Sequence, residues 1–156
     1  LTACRSGEVR GARWDELDLE AAVWTVPASR MKAGREHRVP LAPAARAVLE
    51  EARARAERPT SLVFPGRAPG QPLADKSLGA ALAAAGVPPE RGTVHGLRST
   101  FRDWCEERTS YPHEVKEAAL AHQVRSAVER AYRRTDLFEK RRALMLEWAA
   151  FITGAA

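Results

Sequence analysis

Ala22-Val23-Trp24-Thr25-Val26 and Arg38-Val39-Pro40-Leu41 decide how this chain folds. β-Branched and aromatic residues dominate the first run, which suits a pleated, half-buried surface and reads as a strand. The second reads as its returning partner. Pro40 has no N–H to offer a ladder, so it belongs on an edge or near the end of its strand. Residues 27–37 between them are polar and basic and include Gly34, as a long hairpin turn would. A small antiparallel sheet at residues 22–26 and 38–41 is therefore expected.

Outward from that hairpin the chain reads as helical. Upstream, Thr2 to Trp14 reads as a short helix and Asp15-Glu16-Leu17-Asp18-Leu19 as an exit into the sheet. Downstream, Pro43 to Glu57 is an Ala- and Arg-rich helix with Pro at its start and Pro59 just beyond its end. Leu62-Val63-Phe64-Pro65-Gly66 is a short extended piece leading into a Gly/Pro loop. Asp75 to Ala85 is a helix stopped by Gly86, and Pro88-Pro89 opens a linker. Helices follow at Gly96–Arg108, Pro112–Ala121, Ser126–Arg133 and Asp136–Ile152. The last carries Leu137, Leu144, Trp148 and Ile152 on roughly one face, which reads as packing on its own core. The expected fold class is α+β, mainly α-helical with a small antiparallel β-sheet, in one domain spanning residues 1–156.

The bulk numbers agree with such a domain. The 156 residues are 45% hydrophobic and 29% charged, as in ordinary globular proteins. No stretch of about 18 apolar residues suggests a membrane span, and Leu-Thr-Ala-Cys-Arg at the start does not resemble a secretory leader. The chain opens without Met inside what reads as a structured segment, so it is expected to be a piece of a longer protein. Net charge is +5, and Arg supplies most of it, because Lys stands only at 32, 76, 116 and 140. Guanidinium forks match phosphate oxygens, so this balance suits a phosphate-bearing partner. Cys4 and Cys105 have no metal-ligand spacing and are expected to be free thiols in a reducing cytoplasm.

Four clusters carry chemistry. Arg5-Ser6-Gly7-Glu8 puts an Arg and a Glu three apart, on one face of a helical start. Lys32 sits in the basic hairpin turn Arg30-Met31-Lys32-Ala33-Gly34-Arg35. His95 and Arg98 lie three apart at a helix start, where free amides and the helix dipole favour an anion. Leu120-Ala121-His122 is followed ten residues on by Tyr132 in Ala131-Tyr132-Arg133-Arg134. Singly, each has an ordinary reading: a surface ion pair, a solvated lysine, a locally packed His, a half-buried Tyr. Tyr111, in a Ser-Tyr-Pro loop without basic company, is the contrasting case.

Taken in order and spacing, the set resembles the tyrosine recombinases, and within them the prophage integrases. His95-Gly96-Leu97-Arg98-Ser99-Thr100-Phe101-Arg102-Asp103-Trp104 is similar to that group, as is Ala131-Tyr132-Arg133-Arg134-Thr135-Asp136 running on to Arg141-Arg142. The resemblance implies the catalytic domain of an enzyme that cuts and rejoins double-stranded DNA through a 3′-phosphotyrosyl link. In it Tyr132 is the nucleophile, Arg5 and Arg98 hold the non-bridging oxygens, and Lys32 is the general acid for the leaving 5′-oxygen. His95 assists proton transfer, His122 hydrogen-bonds the phosphate, and Glu8 supports by orienting Arg5 or His95. The resemblance also implies a homo-tetramer on DNA that is monomeric when free and a bacterial cytoplasmic setting at the nucleoid, and it offers, as the alternative to packing on its own core, a carboxyl-terminal helix that docks on a neighbouring protomer. It further implies that an amino-terminal DNA-binding domain and the first helices of the catalytic domain are missing here. One departure is Ala121, where the family commonly has Gly.

The chemistry suits these roles. Two fixed guanidinium groups stabilise charge gathering on a phosphodiester under attack. A Tyr, whose ordinary pKa is near 10, needs a base or cationic surroundings to attack at neutral pH, and the leaving alkoxide needs a proton that a Lys can bring. No Asp/Glu cluster is spaced like a two-metal site, so neither metal nor cofactor is expected. Two other readings stay open: a type IB topoisomerase-like enzyme, which relaxes supercoils by the same Tyr chemistry, and a DNA-binding module that is chemically silent as an isolated piece.

Overall fold

The computed structural model describes residues 1–56, 61–122 and 135–155. Its sheet has three antiparallel strands in the order β1 (Leu17–Asp18), β2 (Val23–Val26) and β3 (His37–Pro40). The hairpin expected from the sequence is β2–β3, with Trp24 opposite Val39 and Val26 opposite His37. Trp24, Val26 and Val39 are buried. With Met31, Leu41, Ala45, Leu49 and Val63 they form one apolar core. Pro40 ends β3, an edge strand, where its missing N–H costs no ladder bond. The connection between β2 and β3 contains a short 3-10 turn, Ala28–Arg30, and turns at Gly34 with φ +62, a left-handed conformation glycine adopts readily. Arg30 pins this connection by bonding the Glu16 carboxylate and the Glu8 carbonyl.

The expected helix from Thr2 to Trp14 is much shorter: α1 covers Ser6–Arg10 only. Ala3 is left-handed (φ 51) and Arg5 is extended (φ −71, ψ 149), so helical geometry cannot begin before Ser6. Beyond Gly11 the chain instead pairs with the extended piece predicted at 62–66. Val63 N–H bonds the Ala12 carbonyl at 2.8 Å, and Trp14 N–H bonds the Ser61 carbonyl at 2.9 Å. Gly66 is required where that piece turns, since a Cβ there would stand 2.5 Å from the Pro72 carbonyl oxygen. The exit into the sheet at 15–19 becomes β1, which adds a third strand to the two expected.

The remaining helices lie close to their expected places: α2 (Pro43–Ala54), α3 (Asp75–Ala84), α4 (Gly96–Arg108), α5 (His113–Ala119) and α6 (Phe138–Thr153). The helix read at Ser126–Arg133 lies outside the described residues. Thr93 Oγ1 accepts the Gly96 N–H at 3.0 Å at the start of α4, satisfying one otherwise orphaned donor. Arg98, Phe101 and Cys105, at i, i+3 and i+7, make its buried face. Asp136 caps α6 by accepting the Phe138 N–H at 3.1 Å, and Gly154, left-handed at φ 68, ends it.

A second core joins α4, α5 and α6 through Phe101, Trp104, Cys105, Val115, Leu120, Leu144 and Trp148. Phe101 meets Trp148 edge-on at 5.3 Å between ring centres. On α6 the predicted apolar stripe holds at Leu144 and Trp148, which are buried, whereas Ile152 is exposed; Phe138, Arg141, Met145 and Ala149 complete the buried face. The helix thus packs on its own chain's core. Arg141, 1% exposed, clips it to the sheet by donating to the Arg38 carbonyl at 2.5 Å and to the Asp136 carbonyl at 2.8 Å. Arg38 lies over the Phe138 ring at 4.1 Å. Among the described residues no helix is long and apolar enough to cross a membrane. Cys4 and Cys105 are free thiols.

Candidate active site

Arg98 is the hub. It lies in the first turn of α4, yet its side chain is buried, with 8% of the residue exposed. Its guanidinium donates to the carbonyl of Ala3, to the carbonyl of Leu120 at 2.8 Å, and towards Nε2 of His122 at 3.4 Å. Three segments far apart in sequence therefore meet on one side chain. The backbone bends sharply at both carbonyls: Ala3 (φ 51) and Ala121 (φ 50) are left-handed without being glycine. Such strain persists only where surrounding contacts enforce it. The Ala in place of the common Gly before His122 thus adopts the conformation for which Gly is suited.

Arg5 caps the start of α1 and is held by Glu8. The Glu8 carboxylate accepts the Arg5 backbone N–H at 2.8 Å through one oxygen and the guanidinium at 2.8 Å through the other. Glu8 is 5% exposed and the Arg5 side chain 29%, so this is no surface ion pair of the ordinary kind. Glu8 thus orients Arg5. The Arg98 guanidinium has its pKa lowered, first by burial and then by the charge of Arg5 nearby. Two cations are thus close together, and the more buried one is satisfied by carbonyls and an imidazole. No carboxylate bonds Arg98 among the described residues. The Glu8 carboxylate acts on the Arg98 charge in the favourable sense without bonding it; a buried charge lacking a bonded counter-ion is costly, and an anion entering here would relieve that cost.

His122 is exposed but fixed at both ring nitrogens. Nε2 faces Arg98, which can only donate, so Nε2 accepts and Nδ1 carries the hydrogen. Nδ1–H then donates to Glu117 at 2.9 Å. The other Glu117 oxygen lies 2.7 Å from Arg102 on α4, off the hydrogen-bonding direction, so that contact is an ion pair and not an aligned bond. Arg102 also meets Glu106 at 3.2 Å, and Glu106 takes the ammonium of Lys116 at 3.0 Å.

Among the described residues, no side-chain bond joins Lys32 or His95 to this centre. Lys32 stands exposed on the hairpin connection. His95 is exposed immediately before α4; its carbonyl accepts the Arg98 N–H at 3.0 Å. Tyr132 lies outside the described residues. Tyr111 is committed elsewhere: its hydroxyl donates to Glu147 at 2.6 Å, and burial together with that bond pushes its pKa up to about 12. Burial likewise pushes the thiols of Cys4 and Cys105 up to about 12, so both stay protonated at neutral pH. Among the described residues no group of three His, Cys, Asp or Glu side chains could hold a metal ion.

Two residues near the centre gave no signal in the sequence. His37 on β3 has its pKa pushed down to about 4, by burial first and then by Arg141, with Arg5 adding to the effect. Glu117 precedes His122 by five positions on α5, a spacing that matches no side-chain pairing rule within a helix. Their meeting depends on the turn at Leu120 and left-handed Ala121, which only the structure reveals.

The model of the phage integrase family matches residues 1–137. Among curated proteins, the chain is 42% identical to "Prophage integrase IntA" of Escherichia coli (strain K12), over 99% of this chain and 37% of that protein. It is 36% identical to "Prophage integrase IntZ" of the same strain, over 96% of this chain and 36% of that protein. It is 31% identical to "Integrase" of Enterobacteria phage P4, over 96% of this chain and 37% of that protein. The chain therefore spans a little over a third of the length of these relatives. No solved structure gave a significant match.

Proposed function

The chain belongs to the phage integrase family, and from that premise we propose that it carries the catalytic residues of a site-specific recombinase for prophage integration and excision. Double-stranded DNA at attachment sites is the substrate. Arg5 and Arg98 bind the non-bridging oxygens of the scissile phosphate, with Glu8 holding Arg5 in place. His122 hydrogen-bonds the phosphate beside Arg98. Tyr132 attacks phosphorus; its oxygen forms the 3′-phosphotyrosyl bond as the bond to the 5′-oxygen breaks. Lys32, carried on the β2–β3 connection, protonates that leaving oxygen, and His95 assists proton transfer. A 5′-hydroxyl from a second strand then reverses the step, regenerating Tyr132 without an external energy source.

One observation carries this reading: Arg98 is a buried cation, satisfied by carbonyls and an imidazole, with a second cation close by. Guanidinium groups preorganised in this way stabilise charge developing on a phosphorane. We further assign the chain to a single catalytic domain of a larger cytoplasmic, nucleoid-associated protein, monomeric when free and tetrameric on DNA. The test is a nicked attachment-site duplex that traps the covalent intermediate. An adduct that needs Arg98 and Tyr132 supports the reading, and supercoil relaxation without strand exchange would support the topoisomerase-like alternative.

A further inference from the structure

We propose that Glu117 is a positioning residue for the cleavage step, acting through His122; this rests on the reading of His122 as a phosphate-contacting group. The observation is the line of contacts from Glu117 Oε2 to His122 Nδ1 at 2.9 Å and from His122 Nε2 to Arg98 at 3.4 Å. An imidazole has two tautomers, and the partner of one nitrogen decides which hydrogen the other presents. Glu117 can only accept, so it holds the hydrogen on Nδ1 and turns Nε2 towards the side of the ring where Arg98 would hold the phosphate; a phosphate oxygen also only accepts, so Nε2 takes up a proton as the phosphate binds and donates to that oxygen, with the Glu117 carboxylate balancing the charge of the imidazolium. It also sets the ring plane, because His122 itself is exposed, with 41% of its side chain open to solvent, and has little packing to hold it. Glu117, with 22% of its side chain open, is in turn steadied by Arg102. Without Glu117 the ring is free to rotate and to populate both tautomers, so no N–H meets the phosphate in one fixed geometry. Misplacing a catalytic group by about 1 Å is enough to cost on the order of a hundredfold in rate.

The alternative is that Glu117 only ties α5 to α4 through Arg102. Three variants separate the two. Glu117→Ala removes the acceptor, Glu117→Gln keeps an oxygen that can accept from Nδ1, and Arg102→Gln breaks the tie between the helices while leaving Glu117 beside His122. Two readouts are taken on the full chain with selective 15N labelling of its four histidines, His122 being assigned from a His122→Asn spectrum. The first is the ring 15N shifts, which report the tautomer. The second is the single-turnover rate of adduct formation on the trapping duplex, measured alongside DNA affinity. The expected result is Nδ1–H at His122 in wild type, Glu117→Gln and Arg102→Gln, and a mixed or Nε2–H state in Glu117→Ala. Cleavage should fall ten- to a hundredfold in Glu117→Ala with unchanged DNA affinity, and less than threefold in Arg102→Gln. Unchanged cleavage in Glu117→Ala, an unaltered tautomer there, or an equal loss in Arg102→Gln overturns the proposal. Absence of adduct in wild type itself would instead sink the recombinase reading, and the tautomer readout would still report whether Glu117 governs His122.

Discussion

The Arg98 guanidinium donates to the Leu120 carbonyl at 2.8 Å, and the very next residue, Ala121, takes a left-handed φ of 50 that swings His122 back towards the same guanidinium. One side chain and one backbone turn thus define this part of the site together.

That turn predicts a stability change. An L-residue in left-handed geometry carries roughly 1 kcal/mol of strain that glycine escapes. Ala121→Gly should therefore raise the melting temperature by about 1–3 °C, the shift expected for up to ~1 kcal/mol in a domain of this size. Ala121→Val should lower it, since branching at Cβ worsens the crowding. Thermal unfolding followed by circular dichroism checks both, and a lower melting point for Ala121→Gly would refute the strain.

How legible this was in the sequence depends on what kind of signal each element had. The hairpin, α2, α4 and α6 followed from local rules: alternation, a Pro at a helix start, apolar spacing. Arg5, Arg98 and His122 were identifiable because their identities and order match a family. What the sequence lacked was any local trace of the contacts that join them. Arg98 meets Ala3 across 95 positions and His122 across 24. The over-long first helix fails for a related reason: Thr2 to Trp14 has adequate helical propensity, but Ala3 is bent to serve Arg98 and the stretch past Gly11 is recruited by Val63. Tertiary bonds outweighed local preference in both cases.

Arg98→Lys separates charge from shape. A lysine ammonium keeps the charge but cannot span the Ala3 and Leu120 carbonyls and His122 as the planar fork does. It should leave at least one buried carbonyl unsatisfied, at about 1–3 kcal/mol, and lower adduct formation by at least ~100-fold. Arg5→Lys should cut adduct formation to a similar degree with much less effect on stability, because Arg5 is partly exposed and bound by a single carboxylate. Chemical denaturation and the trapping duplex measure the two effects separately. Equal destabilisation by both substitutions would contradict the placement of Arg98 as the buried hub.

His37 should make the fold acid-sensitive. Its pKa is pushed down to about 4 from an ordinary value near 6.5, so the folded protein holds this ring neutral where the unfolded chain would protonate it. Stability from this source is complete above about pH 6.5 and is lost as pH falls towards 4, by up to about 3 kcal/mol. Arg141 and Arg5 oppose the protonated ring, while Glu8 and Asp136 favour it. His37→Gln should flatten the difference in unfolding free energy between pH 7 and pH 4.5 relative to wild type. An identical pH profile in the variant would show that His37 does not titrate with folding.

DNA binding by this chain should be weak and steeply salt-dependent. Its net charge of +5 is carried mostly by Arg, and phosphate neutralisation releases counterions in proportion to the contacts made. Fluorescence anisotropy at two salt concentrations gives the slope. Adding EDTA should alter neither binding nor cleavage, since in the proposed mechanism side chains supply the positive charge at the phosphate. Binding that is tight and indifferent to salt would argue against a phosphate-directed surface.

Tyr132→Phe should abolish the covalent adduct while leaving fold and DNA affinity intact. The alternatives for a nucleophile are each weakened by their surroundings. Tyr111 spends its hydroxyl on Glu147 and is held protonated to about pH 12. Cys4 and Cys105 are thiols whose burial keeps them protonated, and a thiol has little tendency to attack a phosphodiester. The cations that would accept the phosphate, Arg5 and Arg98, cannot themselves act as nucleophiles. Tyr132 follows His122 by ten positions in a run containing Arg130, Arg133 and Arg134, whose charge favours the approach of a phosphodiester. A nicked duplex that loses its short 5′-hydroxyl fragment on cleavage traps the intermediate, and a denaturing gel separates protein–DNA adduct from free protein. The expected pattern is an adduct in wild type and Tyr111→Phe and none in Tyr132→Phe. An adduct that persists in Tyr132→Phe, or that disappears equally in Tyr111→Phe, would move the nucleophile elsewhere.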